Sequence, residues 1–179
     1  MDLDPLYRQV LPRLTNTGAT DQAVGVLDVQ SIDIGHRHFD VPEGIAYDVS
    51  LVNTGEAILL SGRATAALGT SCDRCLEPTQ LSITGEVQGY FLFDPSSIKS
   101  GESLEEYEAV DSDGRVDLAP PILAAIVFEL PTVTLCNPDC VGVTAPEDTD
   151  TVDDVQDEDE FDAEPPSPFA ALKDFKFDE

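Results

Sequence analysis

Two pairs of cysteines place the strongest demand on how this chain can fold. Cys72 and Cys75 lie in "TSCDRCLEPTQ" and Cys136 and Cys140 in "TLCNPDCVG", with 60 residues between the pairs. Two sulfurs on a tight turn reach a common point ~2.3 Å away, so one pair supplies an edge of a metal tetrahedron and a second pair completes it. For Cys72, Cys75, Cys136 and Cys140 to act together, the intervening chain must fold back and set both turns side by side. The local text "DRCLEP" and "NPDCVG" is turn-forming in both places. The three-residue spacing of the second pair and the long gap are looser than in a compact zinc ribbon. Three readings stay open: a zinc clip, a thiol-redox couple at Cys72 and Cys75, and four reduced, unliganded cysteines at strand ends. Redox chemistry expects its pair at the start of a helix, where the thiol pKa falls. Strand-like text lies on both sides of Cys72 and Cys75 instead.

Charge narrows the partners. The chain has 179 residues, 9 basic against 36 acidic, for a formal net charge of −27. Gripping RNA phosphates needs clustered Lys and Arg, and the basic residues here are scattered singly from Arg8 to Lys176. Direct RNA binding and contact with anionic membranes are therefore not expected, whereas basic proteins are steered inward. The opening "MDLDPLYRQVLPRL" does not read as a secretory signal. The longest apolar run, Ile122 to Phe128, is far short of the ~20 residues that span a bilayer. The expected location is the cytoplasm, where paired cysteines stay reduced, catalytic or metal-bound.

Hydrophobic spacing predicts an α+β fold: an antiparallel, barrel-like sheet over about residues 24 to 93, with one packed helix over 118–130 and a disordered acidic C-terminal tail. Leu3, Leu6, Val10 and Leu14 have the spacing of a short amphipathic helix. "VGVLDVQSIDI" reads as strands. "IAYDVSLVNTGEAILLSGRATAAL" reads as a hairpin turning at Asn53-Thr54-Gly55. Leu81, Ile83 and Val87 alternate along a third long strand. In "GRVDLAPPILAAIVFELP", Asp117 can cap, Pro120 and Pro121 suit a first helical turn, and Pro131 ends the helix. "TVTL" then predicts a short strand leading to Cys136. Residues 145–164 hold eleven acidic residues and no basic one, too little apolar surface to offset ordering, and predict a disordered linker. Phe169, Leu172 and Phe175 give 165–179 the look of a docking segment. The expected domain is 1–144.

No nucleophile elbow, phosphate-cradling glycine loop or HExxH occurs, and the carboxylates are too dispersed to nominate an acid–base couple. No catalytic residue is expected. His36 and His38 in "GHRHFD" would share a strand face without a third ligand, the pattern of an ordinary exposed strand.

Three blocks in order, "CDRCLEP", "DLAPPILAAIVFELPTVTLCNPDCVG" and "PSPFAALKDFKF", resemble the YceD-like family, whose bacterial members are called large ribosomal RNA subunit accumulation proteins. The resemblance covers roughly residues 20 to 143 and the final dozen. It implies a non-enzymatic accessory factor for large ribosomal subunit biogenesis and 23S rRNA accumulation. The family's cysteine pairs fall on Cys72 and Cys75, then Cys136 and Cys140. Many members continue with a further cysteine-bearing stretch where this chain has "GVTAPEDTD", so these four are the whole candidate ligand set, with zinc the only cofactor expected. Combined with the acidic charge, the resemblance points to a basic ribosomal protein or a large-subunit assembly factor as partner. The alternative from another class is a thiol-redox or other Cys-dependent enzyme using Cys72 and Cys75.

Overall fold

Alternating side chains from residue 57 to 71, and again from 78 to 92, build the spine of the domain. The computed structural model describes residues 3–94 and 108–143, all within one compact unit, Met1–Val143. In chain order the elements are β1 (Tyr7–Gln9), β2 (Thr20–Leu27), β3 (Ser31–Ile34), β4 (Arg37–Asp40), β5 (Ile45–Asn53), β6 (Ala57–Ser71), β7 (Pro78–Leu92), β8 (Glu108–Ala109), β9 (Arg115–Asp117) and α1 (Ala119–Phe128).

β6 is the centre of a seven-stranded sheet. Along one side, β7 pairs with its full length, from Ala57↔Leu92 to Ser71↔Pro78. On the other, β5 pairs with its first part, and β2 pairs with β5. Past the end of β5, β4 meets β6 at the single pair Asp40↔Gly69 and carries β3 outward. Every pairing is antiparallel except that of β7 with β8. Ile58, Leu60, Ala64, Ala66 and Leu68 of β6 point into the core, while Ser61, Arg63 and Thr65 face solvent. This is the period-two pattern of a sheet buried on one face.

The expected barrel is not formed. The sheet stays open, with β2 and β3 outermost on one side of β6, and β8, beyond β7, on the other. The physical reason is α1, which packs on β7, β6 and β5. Its Ile122, Ala125 and Ile126 are buried and cover the apolar face, so burial is reached without closing the sheet. Helix and sheet meet backbone to backbone at Gly85, where an added Cβ would stand 2.0 Å from the Ala125 carbonyl oxygen.

The hairpin turn lies at Asn53-Thr54-Gly55, as its sequence predicts. Asn53 Oδ1 accepts the Gly55 N–H at 2.6 Å, and Asn53 Nδ2 donates to the Leu14 carbonyl at 2.5 Å. Gly55 takes φ +105°, which suits glycine. The helix predicted for residues 3–14 is replaced by β1, which pairs with β9, and by a turn after it. Val10 and Leu14 are buried as their spacing implied. However, Pro5 and Pro12 each remove a helical N–H, and the Leu6 carbonyl is taken by the Leu118 N–H at 3.0 Å.

The helix is shorter than 118–130 by its first residue and its last two. Leu118, not Asp117, is the N-cap residue, and it makes no side-chain cap. Asp117 Oδ1 nevertheless accepts the N–H of Ala119 at 3.0 Å and of Leu6 at 2.8 Å. Pro120 and Pro121 have no N–H to satisfy, so the helix start carries few orphan donors. The predicted "TVTL" strand is absent. Both backbone groups of Thr134 are taken by one residue, Asp73, which leaves them no ladder. No helix among the described residues is long and apolar enough to cross a membrane. The segments 145–164 and 165–179 lie outside the described residues.

Candidate metal centre

Cys72 and Cys75 sit in the turn between β6 and β7, and Cys136 and Cys140 in the irregular segment after α1. The antiparallel return of β7 and the docking of α1 bring the two turns together. Cys72 Sγ lies 3.8 Å from Cys140 Sγ, and Cys75 Sγ lies 3.7 Å from Cys136 Sγ. All four sulfurs are within 4.8 Å of one another. A tetrahedron of sulfurs ~2.3 Å from its centre has edges of about 3.8 Å, so these residues fit one metal ion. Both of these approaches cross between the turns, and all four thiols are free of disulfides.

Each turn is shaped to present its sulfurs. The Cys72 N–H donates to the Glu77 carbonyl at 2.8 Å, and the Leu76 N–H to the Cys72 carbonyl at 3.0 Å. Leu76 closes this first knuckle in the left-handed region, at φ +63°. In the second, the Cys140 N–H donates to the Asn137 carbonyl at 3.2 Å, and Gly142 turns the chain at φ +86°.

Bonds that involve no metal lock the knuckles together. Asp73 donates its N–H to the Thr134 carbonyl at 2.8 Å, and its Oδ2 accepts the Thr134 N–H at 2.6 Å. Arg74 Nη1 donates to the Cys140 carbonyl at 2.9 Å. Arg37, on β4, donates to the Pro131 carbonyl at 2.5 Å and to Thr134 Oγ1, and pairs with Asp73 Oδ2 at 3.6 Å. Sequence reasoning missed Arg37, Asp73, Arg74 and Thr134. The one available signal was Asp73 and Arg74 themselves, two charged residues enclosed within the Cys-x2-Cys pair.

The thiols do not ionise alike. Backbone N–H groups of Cys75, Arg74 and Cys136 stabilise the Cys72 thiolate and lower its pKa to about 6. Cys136 is pushed up to about 12, first by Cys140 beside it, then by desolvation and by Cys75 and Cys72. At Cys75 the Glu77 N–H favours the thiolate, but desolvation and the neighbouring thiols outweigh it and the pKa rises. One negative charge forms readily and opposes the next, so a cation is the counterpart that lets all four act as ligands.

The histidines form no second metal site. His36 lies in the β3–β4 turn, off the strand. His38 has Nδ1 on Asp33 Oδ1 at 2.6 Å and Nε2 on Asp40 Oδ1 at 3.2 Å, so both ring nitrogens are occupied. Asp33 first, then Asp40, raises its pKa.

Residues 60–176 match the family model described as large ribosomal RNA subunit accumulation protein YceD. Uncharacterized proteins of Mycobacterium bovis and Mycobacterium tuberculosis are 30% identical over 113 residues, covering 62% of this chain and 54% of each relative. One of Mycobacterium leprae is 30% identical over 103 residues, 56% of this chain and 46% of the relative. The chain thus spans about half the length of the curated relatives it matches. No solved structure matches it.

Proposed function

The chain belongs to the YceD family, and on that premise we propose that it is a non-enzymatic accessory factor of large ribosomal subunit biogenesis that supports 23S rRNA accumulation. It acts in the cytoplasm by holding a basic ribosomal protein, or a large-subunit assembly factor, until assembly. The family match, which spans both cysteine knuckles, carries the ribosomal part of this reading. The net charge of −27 supports a basic protein rather than RNA as the direct contact. Zinc bound by Cys72, Cys75, Cys136 and Cys140 is structural: it staples the segment after α1 to the end of the sheet. A closed set of four thiolates suits this role, because a catalytic zinc keeps an open position. Weighing against the thiol-redox alternative, Cys72 and Cys75 lie in a strand-to-strand turn and not at a helix N-terminus.

The test is complementation of a strain lacking the gene, with 23S rRNA as the readout and zinc measured on the purified protein. About one zinc per chain is expected, together with rescue by the wild-type chain. Replacing both Cys72 and Cys75 by Ser should remove the metal and lower the unfolding temperature. A double variant that abolishes rescue while the protein stays fully folded and zinc-loaded would instead favour the Cys-dependent enzyme.

A further inference from the structure

We propose that the knuckle end of the sheet is the docking face for the basic partner. The face receives an amphipathic basic segment, whose apolar side chains pack on Leu76, Val141 and Val143 while a Lys or Arg enters the adjoining cleft beside Asp40. This rests on the reading above that the partner is a basic protein.

Leu76 is the first observation. It is the one non-glycine residue at positive φ among the described residues, in a conformation that glycine adopts without steric cost. It is also 70% exposed, so its side chain gains little burial to offset the strain. A turn that needed only this backbone shape would be better served by glycine, and strain kept at an exposed site marks function. Val141 and Val143, 87% and 71% exposed, follow the second knuckle. Leu76 adjoins Cys75 and Val141 adjoins Cys140. With the four sulfurs within 4.8 Å, the apolar side chains share one end of the domain.

Beside them opens a cleft of about 730 Å³, bounded by β4, the ends of β6 and β7, and Cys136, with Gly69 on its floor. That size suits several residues of peptide. Among the described residues, no Lys or Arg lines it. His38 has both ring nitrogens on carboxylates, so no ring N–H remains for an anion. Asp40 Oδ1 is used by His38. Asp40 Oδ2 accepts no hydrogen bond among the described residues and lies 3.9 Å from where a Cβ on Gly69, which also lines the cleft, would stand. The Asp40 carboxylate, with Oδ2 open among the described residues, in a chain of net charge −27, favours a cation and repels a phosphate.

Binding of a short labelled peptide of lysine, arginine and leucine to the full chain, at about 0.15 M salt, tests this. Leu76→Gly should keep or raise the unfolding temperature yet weaken binding about tenfold, as should Asp40→Asn. Gly69→Val should do the same by filling the floor, where an added Cβ makes only an ordinary 3.6 Å contact with Asp40 Cβ. Glu56→Gln, at the far end of β6, removes equal charge and should change binding less than about twofold. Wild-type affinity in Leu76→Gly and Asp40→Asn would overturn the docking face but leave the basic-partner reading standing. So would a Leu76→Gly protein that binds poorly because it melts early. A wild-type chain that ignores the peptide and binds a single-stranded RNA oligonucleotide would overturn both.

Discussion

Adding one methyl group at Gly85 should unseat the helix. A Cβ there would stand 2.0 Å from the Ala125 carbonyl oxygen and 2.6 Å from its carbonyl carbon, where carbon and oxygen need about 3.3 Å. The obstacle is backbone, so no side chain can swing aside, and α1 must lift by more than about 1 Å. A gap of that size forfeits about half or more of the dispersion energy of each contact it opens, and Ile122, Ala125 and Ile126 are the buried residues of α1. Overpacking costs about 1–3 kcal/mol, and a rigid obstacle places Gly85→Ala at about 3. For a domain of this size that lowers Tm by about 12 °C. Gly69→Ala is the matched control on the neighbouring strand. Its Cβ would meet nothing closer than Asp40 Cβ at 3.6 Å, and stability should stay within about 0.5 kcal/mol, helped by the stiffer unfolded chain. Urea and thermal unfolding of both variants read the difference. A Gly85→Ala loss under about 0.5 kcal/mol would refute the backbone contact.

Two further outcomes follow from buried or bridging polar groups. Asn53→Ala strips the partners from the Leu14 carbonyl and the Gly55 N–H and should cost about 2–3 kcal/mol in urea unfolding; a loss under about 1 kcal/mol would show that water replaces the side chain. His38 has a raised folded pKa, caused first by Asp33 and then by Asp40. Its contribution to stability is therefore full below the unfolded value near 6.5 and is lost as pH rises through the folded value. Asp33→Asn should move the His38 midpoint downward in an NMR titration, and an unchanged midpoint would remove Asp33 as the cause.

What could be read in the sequence depended on whether the signal was local. The Asn53-Thr54-Gly55 turn and the alternation of Leu81, Ile83 and Val87 are properties of a few neighbouring residues, and both elements are where the pattern places them. The Leu3, Leu6, Val10 and Leu14 stripe misled because a strand followed by a turn buries the same positions as one face of a helix. At "TVTL", β propensity lost to a tertiary contact, since Asp73 occupies the Thr134 backbone. The four cysteines could be named by residue type. That Cys72 faces Cys140 and Cys75 faces Cys136 depends on the β6–β7 register and on where α1 docks, and neither is written near the cysteines. Sheet closure was likewise out of reach, because a close helix contact at Gly85 has no local signature beyond the glycine.

The paired strands β6 and β7 run together for 15 residues without a break, which at ~3.3 Å per residue spans roughly 45 Å. That is several Debye lengths at physiological salt, where the screening distance is ≈ 8 Å. A charge added beside the Asn53–Gly55 turn is therefore scarcely felt at the knuckles. The two tips of the ribbon are therefore electrostatically independent: a charge substitution at one leaves the field at the other nearly unchanged.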